Sequence, residues 1–277
     1  MAKGIGLIGN FKGKVGNMVG YKLTDSNSGN NQGIRVYQPI VKNPKTAAQA
    51  EQRAKLAPIN ATYRALKMVI DRGNEGLPYG NKSRLAWLKQ AFKSEHMPWF
   101  EKGKQPNYPV ACQLTKGSLS GFVYRNASGI LTITCPGVTS ETDVTTIGKL
   151  STAILAGVPS IKAGDQVTFV MMVNESGQLL TTVKSFVIDT SSADAQDILQ
   201  AGAGRLEIDR DGENVLYAVI LSREGEGGEH LRSSSDLLGF DPLYAAAPYN
   251  ATSKTAAIES YRDTSAVNAD WAEESIQ

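Results

Sequence analysis

The spacing of the apolar residues changes at about residue 110, and this change is the strongest constraint on the fold. Before it, apolar residues recur at steps of three and four, which places them on one helix face: Leu56, Ile59, Tyr63, Leu66 and Ile70. Beyond it, Leu131, Ile133 and Cys135 alternate with threonines, which is typical of a β-strand with one buried face. The sequence therefore predicts an α+β protein.

Two or three helices are predicted within residues 41–109. Thr46 and Gln49 form a T-x-x-Q capping box, in which the hydroxyl accepts from one backbone N–H and the amide reaches back to another. Pro58 predicts a kink or the start of a second helix, because proline lacks the N–H donor. A further helix over residues 81–96 is expected to bury an apolar face that Trp87 and Ala91 widen: Leu85, Leu88 and Phe92.

Residues 110–245 are predicted to form an antiparallel, immunoglobulin-like β-sandwich, because several strand-like runs alternate with turn residues. One hairpin is predicted in "GDQVTFVMMVNESGQLLTTVKSFVID", with its turn at residues 174–177, and another in "RLEIDRDGENVLYAVIL". The first strand of the first hairpin turns four residues to one face: Val167, Phe169, Met171 and Val173. A short helix between the hairpins is expected to be capped by Ser192 and ended by Gly202.

The two ends of the chain differ from these segments. Residues 246–277 are rich in Ala, Ser and Thr and predict an extended C-terminal tail with some helical propensity.

Residues 4–22 contain six glycines, and residues 4–9 match the G-x-G-x-x-G string of a dinucleotide-binding turn. Such a turn needs a strand before it and a helix after it, and neither fits this sequence. We therefore predict a Gly-rich arm and a β-hairpin over residues 1–40, which becomes ordered only against a neighbouring chain because ordering glycine is entropically costly.

The charges are distributed unevenly along the chain. Residues 1–110 contain 18 basic and 6 acidic residues, a net charge of +12, whereas residues 111–277 contain 11 and 21, a net charge of −10. The basic part would suit a nucleic acid or an acidic partner, and head-to-tail contact between copies of the chain is a third interpretation. No apolar run approaches the roughly 20 residues of a membrane span, so we expect no membrane partner. The first residues lack a basic segment followed by a long apolar stretch, so we expect no secretory signal.

The sequence contains no convincing pattern for catalysis or for a metal. His96 and His230 are the only two histidines and lie far apart in the chain, and Cys112 and Cys135 match no zinc spacing and are expected to be buried free thiols. A triad of His230 with a nearby serine and Asp236 lacks the strained turn that presents a nucleophile. We therefore predict no catalytic residue, no cofactor and no metal, and thus no enzyme.

Several strings resemble a domain-of-unknown-function family that is found in Bacteroidetes and in their crAss-like phages. They are "GNFKGKVGNMVGYK", "IRVYQP", "NPKTAAQAEQRAKLA" and "LTKGSLSG", and together they span most of residues 8–240. The family's hallmark is G-x-x-G-K-V-G-x-x-V-G-Y followed by N-P-x-T-x-x-Q-x-x-Q-R. The matching positions are Gly13, Lys14, Val15, Gly16, Val19, Gly20, Tyr21, Asn43, Pro44, Thr46, Gln49, Gln52 and Arg53. "LRSSSDLLG" resembles the serine-rich strand near the end of the family's C-terminal β domain.

The resemblance implies a structural protein of a tailed-phage virion: a ring, collar, tail-connector or capsid-associated subunit that is made in the bacterial cytoplasm. Its expected partners are copies of itself and other virion proteins. The arm is predicted to dock on a neighbour through glycines that allow close approach and basic groups that meet acidic ones: Gly13, Lys14, Gly16, Gly20, Tyr21 and Arg35. Two alternatives stay open. One is a basic nucleic-acid-binding protein packaged with the genome. The other is an adhesion or carbohydrate-binding module that uses sandwich tyrosines: Tyr124, Tyr217 and Tyr249.

Overall fold

The computed structural model describes residues 13–22, 32–37, 46–127, 129–208, 215–225 and 228–262. The chain divides into two compact units, residues 1–45 and residues 46–277. The predictions made for residues 4–9, for the tip of the first hairpin and for residues 263–277 lie outside the described residues. Helices and antiparallel sheets are both present, which confirms the α+β class.

The described elements follow in chain order. The helices are α1 (Ala47–Ala65), α2 (Lys67–Ile70), α3 (Asn81–Ala91), α4 (Ile147–Gly157), α5 (Asp241–Ala245) and α6 (Ala251–Arg262), with a 3₁₀ turn at Glu141–Val144. The strands are β1 (Gly13–Val15), β2 (Met18–Lys22), β3 (Gln32–Val36), β4 (Gln113–Thr115), β5 (Tyr124–Ala127), β6 (Ile130–Thr134), β7 (Gln166–Glu175), β8 (Gln178–Val187), β9 (Gln200–Gly202), β10 (Arg205–Ile208), β11 (Val215–Glu224), β12 (His230–Arg232) and β13 (Ser235–Asp236).

Strands within residues 13–22 and 32–36 form an antiparallel sheet in the order β1-β2-β3. The pairing of β2 with β3 confirms the predicted hairpin, and β1 adds a strand that was not predicted. Gly16 lies in the tight turn between β1 and β2 with a φ of +58°. That angle lies in the left-handed region, which glycine adopts without a steric penalty.

The start of α1 agrees with the sequence, whereas the buried faces of the helices differ in part. Thr46 Oγ1 accepts a hydrogen bond from the Gln49 N–H at 3.3 Å, but the buried Gln49 Oε1 accepts none, so only half of the capping box forms. Pro58 lies inside a continuous α1 and does not begin a second helix. The prediction that Leu56 and Leu85 face the core is wrong, because their side chains are 38% and 57% exposed.

The buried face of α3 is shifted relative to the prediction and includes a polar residue. Ser83, Trp87 and Ala91 are its buried residues, whereas Leu88 and Phe92 are only partly buried against the same cluster. Ser83 tolerates burial because its hydroxyl donates to the Ile70 carbonyl oxygen at 2.7 Å.

The central sheet has the order β12-β11-β7-β8. Its inner strands β11 and β7 are largely buried, whereas the edge strand β8 is mostly exposed. The prediction that Val167, Phe169, Met171 and Val173 share a face is confirmed, since all four belong to one apolar cluster or pack against it. The β7–β8 hairpin is confirmed too, with its turn tightened to Ser176 and Gly177. The opposite face of the sheet, with Val170 and Met172, lies in a second cluster with Ile59 of α1 and Trp87 of α3.

A second sheet, in the order β5-β6-β10-β9, shares the first of these clusters. Leu131 and Ile133 of β6 and the neighbouring Cys135 are buried there, which confirms the predicted alternation. The predicted β10–β11 hairpin is wrong, because β10 pairs with β6 and β9 whereas β11 pairs with β7 and β12. Val215 to Leu221 of β11 are all buried, and a strand that is apolar on both sides fits the middle of a covered sheet better than a hairpin edge.

Two further local predictions were wrong. Residues 192–199 form no helix, and Gln200–Gly202 is strand β9. Conversely, α4 forms where no helix was predicted, and Leu150 and Ile154 bury its inner face.

Part of the predicted C-terminal tail is helical and packed. Ala257 of α6 is fully buried in the same cluster as Ala54 of α1, and Ile258 and Tyr261 pack against that cluster. The small alanine side chains allow the two helices to approach closely. The two apolar clusters thus join parts of the predicted segments 41–109, 110–245 and 246–277, and their described members all come from residues 46–262.

Candidate functional site

The structure places the predicted arm residues on one small sheet. Gly13 lies opposite Gly20, and the Lys14 Nζ lies 3.6 Å from the centre of the Tyr37 ring. Tyr21 and Arg35 belong to β2 and β3, but their side chains lie outside the described part of the structure. The six predicted residues therefore belong to a single three-stranded element.

That sheet leaves apolar surface uncovered. Met18 is 40% exposed, Val36 72% and Tyr37 37%. A sheet of such short strands needs an apolar face packed on something to be stable. These exposed apolar residues are therefore candidates for contact with another polypeptide.

The strings "LTKGSLSG" and "LRSSSDLLG" lie side by side, which sequence reasoning did not foresee. Thr115 Oγ1 donates to the Ser233 carbonyl oxygen at 2.8 Å, and the Leu119 N–H donates to the Arg232 carbonyl oxygen at 2.9 Å. A Cβ on Gly117 would overlap that Arg232 carbonyl oxygen. The glycine is therefore required for the close approach of the two segments.

We call the contact between residues 115–119 and residues 232–235 the seam. Its serines form hydrogen bonds with other groups of the fold. Ser233 and Ser235 are buried, and their hydroxyl oxygens lie 2.9 Å apart. Ser235 donates to the Val219 carbonyl oxygen at 2.6 Å, and the Leu221 N–H donates to Ser233 Oγ at 2.9 Å. No hydrogen bond between described residues joins His230 to either serine. The arrangement is that of a satisfied structural network.

Glu75 ties three segments together. Its Oε2 accepts from the backbone N–H groups of Ser118 and Arg232 at 2.9 and 3.0 Å, and its Oε1 accepts from the Ser118 hydroxyl at 2.7 Å. Burial raises the pKa of Glu75, but these hydrogen bonds outweigh it and hold the pKa below its usual value. The carboxylate is thus ionised and fully engaged, and it fixes the loop at residues 74–77.

Two grooves flank this loop. The first, which we call the lysine groove, has a volume of about 640 Å³ and is lined by Lys89, Lys93 and Lys116 together with Leu77 and Ala86. None of these lysines is paired with a carboxylate of the described residues. The only carboxylate in its lining is that of Glu75, so the three lysines leave the groove with a net positive charge.

The second groove, which we call the tyrosine groove, has a volume of about 450 Å³. The half-exposed Tyr79 lies in it, with its ring centre 5.9 Å from that of His230 and 5.6 Å from the Arg72 guanidinium carbon. Sequence reasoning missed both grooves. The sequence feature that could have indicated the lysine groove is the spacing of Lys89 and Lys93. These lysines are four residues apart at the end of a helix and therefore lie on one face.

The remaining candidates have structural roles. Cys112 and Cys135 are both free and buried, which confirms the prediction, and burial raises the pKa of Cys112 to about 12. In the part of the chain that the structure describes, no three His, Cys, Asp or Glu side chains lie together as metal ligands would. Tyr217 and Tyr249 are buried, so the suggestion that they form an exposed sugar platform is wrong.

None of the described helices combines the length and the apolar character that a membrane span requires. Comparison of the chain with protein-family models, with curated proteins and with solved structures gave no match.

Proposed function

We propose that this chain is a non-enzymatic structural subunit of a tailed-phage virion, which joins its neighbours through its terminal segments. The single observation that carries the proposal is the sheet of β1, β2 and β3, beside which Met18, Val36 and Tyr37 are exposed. The resemblance of the same residues to a family with phage members supports the virion as the place of assembly. The chain would be made in the bacterial cytoplasm, and its partners would be copies of itself and other virion proteins.

The two four-stranded sheets support a finer proposal, namely an immunoglobulin-like sandwich within residues 110–245. Both sheets are antiparallel and contribute to one apolar cluster. The chain passes between them in pairs of strands: β5 and β6, then β7 and β8, then β9 and β10, then β11 and β12. Such alternation resembles the Greek-key connections of immunoglobulin-like domains.

A pair of substitutions tests the assembly proposal. Val36→Asp places a charge on the exposed sheet of the arm, and Met68→Asp places the same charge on a side chain of α2 that is equally exposed, at 74% against 72%. Analytical ultracentrifugation and negative-stain microscopy of the full chain should show oligomers for the unsubstituted protein and for Met68→Asp. Val36→Asp and a chain without residues 1–45 should lose the arm contact and form clearly smaller species than the unsubstituted protein. Unchanged oligomers for both of these variants would overturn the arm as the assembly element.

The lysine groove favours the alternative of nucleic-acid binding. Three unpaired lysines could contact phosphates, and binding to a DNA duplex should then weaken steeply between about 50 and 200 mM salt. An electrophoretic mobility assay at low salt that shows no bound duplex would remove this alternative.

A further inference from the structure

The lysine groove has a chemical preference that can be derived from its lining. Lys89 and Lys93 lie one helical turn apart, at the end of α3 and just beyond it, and Lys116 faces the same space from the neighbouring segment. Leu77, 38% exposed, and Ala86 add apolar surface beside the amino groups. A peptide that carries several carboxylates next to an apolar or aromatic side chain would therefore fit this groove.

The C-terminal segment of this chain has that composition. Residues 263–277, "DTSAVNADWAEESIQ", contain four acidic residues and no lysine or arginine. Trp271 stands between Asp270 and the pair Glu273 and Glu274. Carboxylates and a large aromatic group thus occur within five consecutive residues, which matches the combination that the groove can accept.

We propose that the lysine groove binds residues 263–277 of a neighbouring copy as a head-to-tail contact. This inference rests on the proposed function, in that it requires the chain to self-associate. The opposite net charges of residues 1–110 and 111–277 favour contact between the acidic end of one copy and the basic part of the next. The last turn of α6 is held beside Lys102, whose N–H donates to Ser260 Oγ at 2.9 Å. Neither Lys102 nor any residue of α6 lines the lysine groove.

A peptide of residues 263–277 with a fluorescent label measures the contact by anisotropy. The receptor is the full chain with a neutralised tail, D270N/E273Q/E274Q, whose own segment does not compete. Adding K89E/K93E to this receptor should weaken peptide binding about tenfold, because two charge pairs become repulsive. The control adds K67E/K82E, which makes the same change of net charge at exposed lysines outside the groove and should leave binding unchanged. Circular dichroism verifies that each variant is folded.

A mixing experiment identifies which copy supplies the segment. K89E/K93E retains the tail but loses the groove, and D270N/E273Q/E274Q retains the groove but loses the tail. The two together should form complexes on ultracentrifugation that are larger than either variant forms alone. Equal peptide binding by K89E/K93E and K67E/K82E receptors would overturn the site, and peptide binding without mixed complexes would overturn the neighbouring copy as its source.

The outcomes separate this inference from the function on which it rests. Oligomers that depend on Val36 but show no peptide binding would leave the virion proposal standing and reject the groove contact. A DNA duplex that binds the groove in place of the peptide, and is released by K89E/K93E, would instead assign the groove to nucleic acid.

Discussion

At the scale of single residues, one buried ion pair holds two segments of the β region together. No local sequence pattern predicted this pair. Arg223 at the end of β11 donates to both oxygens of Asp165, at 2.6 and 2.7 Å, and also to the Ser160 carbonyl oxygen at 2.9 Å. Asp165 is 1% exposed. The pair links β11 to the loop before β7, and its geometry is the bidentate one that arginine favours.

Arg223→Ala should lower the free energy of unfolding by about 3 kcal/mol, because the Asp165 carboxylate would stay buried without its cation. Urea denaturation followed by tryptophan fluorescence measures this. The matched control is Lys104→Ala, which breaks the exposed pair with Glu101 and should cost less than about 1 kcal/mol. Equal effects of the two substitutions would contradict the importance of the buried pair.

Glu75 gives a prediction on pH. Its pKa is lower in the folded chain than the ordinary 4.5, so its stabilisation is fully present above that pH and is lost as the pH falls through the folded-state pKa. Glu75→Gln should therefore cost about 1–2 kcal/mol at pH 7, because the amide cannot accept all three hydrogen bonds. The difference from the unsubstituted chain should shrink below about pH 4.5. Urea denaturation at several pH values tests this, and a difference that is constant with pH would contradict it.

At the scale of elements, the two segments "LTKGSLSG" and "LRSSSDLLG" form a seam, in which each segment packs against the other. The sequence alone showed only that both strings resemble a family, and it did not show that they are in contact. The backbone of residues 115–119 runs beside that of residues 232–235, and Glu75 joins both to the loop after α2. Glycine at position 117 makes this approach sterically feasible. The seam also forms one wall of the lysine groove, since Lys116 and Gly117 line it.

Gly117→Ala should destabilise the chain by about 3 kcal/mol, because the new methyl group would collide with a backbone carbonyl that cannot move aside freely. Gly225→Ala is the control, since a Cβ there would stand 3.4 Å from its nearest neighbour. Thermal unfolding should show a clearly lower midpoint for the first substitution only. Similar midpoints for both would argue against a tight seam.

At the scale of the whole molecule, the central sheet contributes residues to both apolar clusters. Its one face packs against the helices and its other face against the second sheet, so β11 is buried throughout its first seven residues. Removing the helices would expose Val170, Met172 and Leu216, which are all fully buried. The helical and β segments should therefore depend on each other.

Residues 110–245 expressed alone should bind the dye ANS and lack a cooperative unfolding transition, because one face of the central sheet would be open to water. Residues 46–262, which contain the described members of both clusters, should unfold cooperatively in urea. A cooperative transition of the shorter fragment would show that residues 110–245 fold independently of the helices.

The sequence by itself determined those features that depend on neighbouring residues. The Thr46 cap, the alternation at Leu131 and Ile133, the β7–β8 hairpin and the shared face of β7 were all predicted, because backbone geometry alone sets these periodicities and turns. Only the tertiary structure decided that β10 and β11 lie in different sheets, that Leu85 faces solvent while Ser83 is buried, and that Lys116 lines the same groove as Lys89 and Lys93. These outcomes depend on which face of a helix or strand another part of the chain covers. Contacts between residues far apart in sequence leave no local pattern, so the covered face could not be predicted from the sequence.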